Sequence, residues 1–115
     1  MKKIIKSFGY AFSGLAYAFR TQLNFKIHFS VLLLVTVAGY FYKLSAGEWS
    51  SIVAVSALVL VTELINTAIE TLTDLASPGY HEKAKIVKDV AAAAVVISCI
   101  AAVITGLVIF IPRIC

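Results

Sequence analysis

An uncharged apolar run is the feature that most limits how this chain can fold. Val90 to Ile111 contains 22 residues and no charged side chain, and about 20 apolar residues in a helix cross the hydrocarbon core of a bilayer. Trp49 to Ile69 contains 21 residues interrupted only by Glu63. Ile27 to Tyr42 contains 16 residues and spans a bilayer if its flanking lysines extend to the interface. The runs predict an all-α membrane protein with three transmembrane helices, at 26–43, 48–75 and 83–111.

The first 23 residues precede these runs and carry a different pattern. Apolar side chains recur there at spacings of three and four, at Ile4, Ile5, Phe8, Phe12, Leu15, Phe19 and Leu23. This period predicts an amphipathic helix over 1–23 that lies in the membrane interface. A signal peptide is the alternative, because lysines precede the apolar residues, but Lys6, Ser7 and Gly9 interrupt its apolar core. We expect one membrane-embedded domain over 1–115.

Basic residues are distributed unevenly between the two sides of the predicted membrane. One side carries Lys2, Lys3, Lys6, Arg20, Lys26, Lys83, Lys85 and Lys88, and the other carries Lys43 and Arg113. The positive-inside rule therefore predicts a cytoplasmic N-terminus and an external C-terminus. Because the basic residues lie at membrane edges, the net charge of +4 does not indicate a nucleic-acid partner. The two cysteines, Cys99 and Cys115, form no disulfide framework and no metal-binding pattern.

A polar stripe runs along the end of the second apolar run. Glu63, Asn66, Glu70 and Asp74 are spaced 3, 4 and 4 residues apart, so they share one face of a helix. A carboxylate inside a membrane costs about 2.5–3.5 kcal/mol on insertion scales, which indicates a polar partner for this face. The stripe is either a helix end emerging into water or an acidic site at the cytoplasmic membrane surface. We interpret it as the acidic site.

The residue types of this stripe suit phosphoryl transfer. Glu70 offers the oxygen ligands that Mg²⁺ prefers, Glu63 could accept a proton from a lipid hydroxyl, and Lys88 could neutralise phosphate charge. Glu63 and Glu70 lie about 10 Å apart along a helix axis, so they should have separate roles. The chain has no Walker A motif and no Rossmann glycine pattern. The residues alone lead to an acidic membrane site that binds a divalent cation.

A second polar group comes just before the first span. Its members are Gln22, Asn24, Lys26 and His28. They either solvate the start of the helix or bend back to meet the face that carries Glu63. The sequence leaves both possibilities open.

A longer pattern resembles the signature of the prokaryotic diacylglycerol kinase family. It consists of Glu63-x-x-Asn66-x-Ala68-Ile69-Glu70-x-x-x-Asp74, then Tyr80-His81-Glu82, then Lys88-Asp89-x-Ala-Ala-Ala. The resemblance covers nearly the whole chain, including Lys3-Ile4-Ile5-Lys6 and Gly9-Tyr10. It implies a small lipid kinase of the bacterial cytoplasmic membrane that uses ATP and Mg²⁺. It also implies a homotrimer in which the surface helix of one protomer faces the core of another.

The resemblance also implies roles for individual residues. Glu63 matches the general base, which meets the lipid, and Glu70 matches a ligand of the Mg²⁺ that accompanies ATP. The positions that match the ATP-binding set are Lys3, Tyr10, Gln22, Asn66, Glu70, Asp74, Tyr80, His81, Lys88 and Asp89.

One position departs from the family pattern. Gln22 stands where the family has a second metal-binding glutamate, three residues before Phe25. An amide oxygen can ligate a cation but brings no charge, so we expect weaker binding of Mg²⁺ if this position is a ligand. An inactivating substitution, a tolerated natural variant and an alignment shifted by one residue are the three possible accounts.

The choice of lipid substrate depends on a short segment. Asn24-Phe25-Lys26-Ile27-His28 resembles the Gram-positive-type branch, which implies undecaprenol as the substrate, with diacylglycerol as the alternative. Both lipids present one primary hydroxyl at the interface. A small proton-coupled transporter that uses Glu63 is a competing class, and a structural subunit without chemistry is another.

Overall fold

The computed structural model describes residues 1–115 as four helices joined by short connections. They are α1 (Lys2–Thr21), α2 (Leu23–Phe41), α3 (Ala46–Ala76) and α4 (Glu82–Ile114). By length and composition, α2, α3 and α4 could each cross a membrane. The prediction of an all-helical chain with three apolar spans is thus confirmed. Helix α2 begins before the predicted position 26, because its polar first turn is also helical.

Gln22 separates α1 from α2. Its backbone is extended, with φ −110° and ψ 108°, so the chain changes direction at a single residue. Phe19 of α1 packs edge-on against Phe25 and Phe29 of α2, which fixes the angle between the two helices. Ala18 is fully buried in α1, whereas the large apolar side chains nearer the N-terminus remain exposed. These exposed side chains are Ile4, Ile5, Phe8 and Phe12.

The turn from α2 to α3 is closed by a left-handed residue. Lys43 has φ 54°, and its N–H donates to the carbonyl of Tyr40, while the Leu44 N–H donates to the carbonyl of Gly39. These two bonds form a Schellman motif, which satisfies carbonyls at the end of α2. Leu44 is buried, so the turn is anchored in the apolar interior.

The start of α3 is joined to the end of α4. Ser45 caps α3, because its hydroxyl accepts from the Glu48 N–H and the Glu48 carboxylate accepts from the Ser45 N–H. The guanidinium of Arg113 donates to both carboxylate oxygens of Glu48, at 2.6 Å each. Leu44, Ile52 and Ile109 form a small apolar core beside this ion pair. The planar two-point contact between Arg113 and Glu48 holds the two helix ends in a fixed geometry.

The other end of the α3–α4 hairpin is held by a second ion pair. Helix α3 ends at Ala76, and the connection that follows contains Pro78 and Gly79. His81 then caps α4, since its Nδ1 accepts from the Lys83 N–H. Lys88 Nζ of α4 donates to Asp74 Oδ1 of α3 at 2.5 Å. The two longest helices are therefore joined by charged groups at both ends.

Gly39 provides a test of this packing, because the indole of Trp49 lies against its backbone. A Cβ atom at Gly39 would lie 2.5 Å from Trp49 Cη2, whereas a Cβ atom at Gly106 would meet nothing within 4 Å. We expect Gly39→Ala to lower the free energy of unfolding by about 1–3 kcal/mol, as overpacking does. Gly106→Ala is the matched control and should leave it unchanged or slightly raised. Reversible unfolding by denaturing detergent in mixed micelles measures both, and equal effects would contradict the close contact.

Candidate active site

Glu63 is the most deeply buried charged side chain of the chain, with 2% of its side chain exposed. It lies in the second half of α3, where the Thr67 hydroxyl donates to its backbone carbonyl. Its Oε1 atom is buried and has no hydrogen-bond partner. An ionised carboxylate in such surroundings is costly unless it is paired. Glu63 is thus placed for chemistry or for a contact across the bundle.

One turn further along α3, Asn66 and Glu70 form a pair. The Asn66 amide Nδ2 donates to Glu70 Oε1 at 2.9 Å. Asn66 Oδ1 is buried and accepts no hydrogen bond, and Glu70 is half-buried. Buried oxygens without a hydrogen-bond partner are rare in folded proteins. The free lone pairs of Asn66 Oδ1 could therefore bind a cation or accept a hydrogen bond from a ligand.

Beyond this pair, a polar cavity of about 450 Å³ lies where α3 turns into α4. Two ion pairs border it, Lys88 with Asp74 and Lys85 with Asp89. Its lining residues are Thr73, Asp74, Ser77, Pro78, Gly79, Tyr80, His81, Ala84, Lys85, Lys88 and Asp89. The cavity combines lysines, carboxylates and the backbone of a glycine-containing connection, which suits a phosphorylated ligand with its counter-ion.

Five of the eleven sequence-predicted site residues therefore line one cavity, Glu63, Asn66 and Glu70 lie further back along α3, and the other three lie outside both groups. The five are Asp74, Tyr80, His81, Lys88 and Asp89. Lys3 and Tyr10 are exposed on α1 and make no side-chain contact with the cavity. Gln22 is half-buried at the α1–α2 break, and its side chain makes no hydrogen bond that caps either helix.

Comparison with known proteins decides between the chemical classes that this geometry allows. The model of the prokaryotic diacylglycerol kinase family matches residues 9–110. This chain belongs to the prokaryotic diacylglycerol kinase family. The match covers α2, α3 and nearly all of α4, so it includes the polar stripe of α3 and the cavity beside it.

Named relatives of the family give two substrates. The chain is 44% identical over 95% of its length to the diacylglycerol kinase of Synechocystis, and it spans 63% of the length of that relative. It is 36% identical over 98% of its length to the undecaprenol kinase of Bacillus subtilis, and it spans 92% of that protein. The diacylglycerol kinase of Escherichia coli K12 is 34% identical over 90% of this chain and 84% of its own length. All three are named as kinases.

The donor set of the site fits Mg²⁺ when a substrate shares the coordination. No three acidic, histidine or cysteine side chains gather in a way that could hold a metal ion. Glu70 and the unpaired Oδ1 of Asn66 nevertheless offer the hard oxygen ligands that this ion takes. Mg²⁺ is usually held by one or two carboxylates together with substrate phosphates and waters. The residues present therefore fit an ion that arrives with a nucleotide.

The structure answers the question left open for the polar group of Gln22, Asn24, Lys26 and His28, most of which lies in the first turns of α2. His28 bends back toward α3, and its Nε2 atom lies 3.3 Å from Glu63 Oε1. It was not among the predicted site residues. An ionisable side chain within an apolar span is a signal of function in its own right, and that signal could have singled out His28.

Proposed function

We propose that this chain transfers the terminal phosphate of ATP to the primary hydroxyl of a membrane lipid. The observation that carries the proposal is the position of a buried carboxylate, Glu63, on the same face of α3 as the Asn66–Glu70 pair. This face leads directly to the cavity that contains Asp74 and Lys88. A lipid hydroxyl and a nucleotide could thus approach one helix from two directions. The names of the relatives support the same activity.

Glu63 acts as the general base in this proposal. Its carboxylate takes the proton of the lipid hydroxyl, whose oxygen then attacks the terminal phosphorus of ATP as the bond to the leaving oxygen of ADP breaks. Because Glu63 is almost fully buried, little water would reach the proton transfer. Exclusion of water strengthens the charge interactions at such a site and suppresses hydrolysis of ATP.

The remaining polar residues act on the nucleotide. Lys88 and Lys85 bring positive charge to the cavity, and they would stabilise the phosphate oxygens as negative charge shifts to the leaving group. Asn66 holds Glu70 in place through its amide. Mg²⁺ bound with ATP would be held by Glu70 together with the amide oxygens of Asn66 and Gln22, and it would neutralise phosphate charge.

The proposed assembly is a homotrimer in the bacterial cytoplasmic membrane, with the site facing the cytoplasm. The asymmetry of basic residues supports a cytoplasmic N-terminus and an external C-terminus. Tyr80 and Tyr10 match ATP-binding positions, yet they are 85% and 73% exposed in the single chain. Their exposure supports a site that is completed by a second protomer. In a trimer, α1 of one protomer would supply Lys3 and Tyr10 to the cavity of another. Residues 1–115 then act as one membrane-embedded lipid kinase domain.

Undecaprenol is the proposed lipid, and diacylglycerol is the alternative. The B. subtilis relative named undecaprenol kinase matches over nearly its whole length, and the segment Asn24 to His28 resembles that branch. The Synechocystis relative is more similar in sequence and is named a diacylglycerol kinase. Overall identity therefore does not decide the substrate.

A side-by-side assay tests the proposed activity. We expect phosphate transfer from ATP·Mg²⁺ to undecaprenol in mixed micelles to exceed transfer to diacylglycerol at equal mole fraction. Preference for diacylglycerol would keep the mechanism and change the substrate. Transfer to neither lipid, both by this chain and by Gln22→Glu, would refute the kinase proposal, and ATP-independent solute flux in liposomes would then favour a proton-coupled transporter.

Glu63→Gln tests the assignment of the base. The substitution keeps the shape of the side chain but removes its capacity to take a proton, so kcat should fall by about 10²–10⁴-fold, the usual contribution of a general base. Binding of ATP, measured by protection from nucleotide photolabelling, should be retained. Glu82→Gln, at an exposed acidic residue in the first turn of α4, is the control and should leave kcat unchanged. Retained turnover in Glu63→Gln would overturn the assignment.

Gln22→Glu tests whether the helix break carries a metal ligand. A carboxylate adds the charge that the amide lacks, so the Mg²⁺ concentration for half-maximal activity should fall several-fold. Asn24→Asp adds the same charge two residues away at an exposed position and controls for a general electrostatic effect. An identical Mg²⁺ titration for Gln22→Glu and the unchanged chain would exclude position 22 as a ligand.

A further inference from the structure

His28 lies where the three apolar helices meet. It belongs to α2, its Nε2 atom is 3.3 Å from Glu63 Oε1 of α3, and the same atom is 3.7 Å from Cys99 Sγ of α4. The side chain of His28 is 25% exposed and that of Glu63 is 2% exposed. The imidazole therefore connects the buried carboxylate to the surface of the bundle.

Within the chain, His28 is the only basic side chain close enough to pair with Glu63. No lysine or arginine lies within 4 Å of that carboxylate. At 3.3 Å the ring N–H is not yet aligned for a hydrogen bond, so Glu63 Oε1 is left without a donor. Contacts of catalytic groups are commonly long or misaligned before substrate binds, and they tighten in the complex. A small rotation of the imidazole would complete the hydrogen bond from His28 Nε2–H to Glu63 Oε1.

His28 also faces the space through which a lipid could reach Glu63. It lines an apolar cavity of about 530 Å³ between α2, α3 and α4. It lines a second cavity of about 440 Å³ between α2 and α4. Cys99 borders both cavities with it, whereas Glu63 borders neither. The imidazole thus lies between the carboxylate and the apolar space next to it.

We propose that His28 is a positioning residue for Glu63. Its Nε2–H donates to the Glu63 carboxylate and turns the free oxygen of that carboxylate toward a lipid hydroxyl entering along α2. The hydroxyl proton goes to Glu63, and His28 keeps its own proton throughout. This inference rests on the proposed function, since it assigns Glu63 the role of base. It adds a residue of α2 to a site otherwise built from α3, α4 and the connection between them.

Kinetics of variants at position 28 test the proposal. We expect His28→Ala to lower kcat by about 10- to 100-fold, the effect of losing one hydrogen bond to a charged group, while the KM for ATP changes less than twofold. His28→Gln restores an N–H donor at a similar reach and should recover most of kcat. Ser30→Ala is the matched control on α2, because that exposed hydroxyl donates only to the Lys26 carbonyl. Full activity of His28→Ala, or equal loss in His28→Gln, would overturn the proposal.

A stability measurement separates this proposal from the kinase assignment. We expect His28→Ala to lower the detergent-unfolding midpoint more in the unchanged chain than in Glu63→Gln, because only the carboxylate loses a hydrogen bond that its own charge strengthens. Absence of this coupling would show that the two side chains do not interact and would overturn the proposal. If the coupling were present in a chain that phosphorylates no lipid, the contact would be structural, and both the kinase assignment and the positioning role would be wrong.

Discussion

The need to stabilise one carboxylate inside an apolar bundle governs the arrangement of this molecule. Glu63 is almost completely buried, although carboxylates are among the most costly groups to place in a membrane. The fold compensates locally in two ways. His28 approaches from α2, and the face of α3 that carries Glu63 continues through Asn66 to a polar cavity. The helices are therefore placed so that one polar path leads from the interior to the end of the hairpin where α3 connects to α4.

Much of this could be predicted from the sequence, because the constraints are periodic or local. Apolar runs of spanning length have no stable alternative to helices in a bilayer, so α2, α3 and α4 could be inferred from composition alone. The shared face of Glu63, Asn66 and Glu70 followed from their spacing. The end of α3, predicted at residue 75, lies at Ala76, just before Pro78 and Gly79, residues that commonly end helices. The family could be identified from the same residues, since its motif consists largely of the polar positions that an apolar helix would otherwise exclude.

Pairings between helices could not be predicted in the same way. Which polar residue at the start of α2 reaches Glu63 depends on how α2 is rotated about its axis. That rotation is set by the extended backbone at Gln22 and by the contact of Phe19 with Phe25. The ion pair of Arg113 with Glu48 joins residues 65 positions apart, and no local sequence pattern predicts it. Lys3 and Tyr10 do not line the cavity of their own chain, and only the proposed homotrimer would bring them to a cavity.

The two ion pairs at the ends of the α3–α4 hairpin have a mechanical consequence. They make α3 and α4 a stiff pair, whereas α2 is attached to that pair mainly at its far end, through Leu44 and the contact of Gly39 with Trp49. Helix α2 can then tilt about a pivot at Gly39, near the end at which it joins α3. Gly39 and His28 are separated by about 16 Å along the helix, so a tilt of about 10° at the pivot displaces the imidazole by about 3 Å. A small tilt would thus change the space beside Glu63 while the ion pair of Asp74 with Lys88 stays in place.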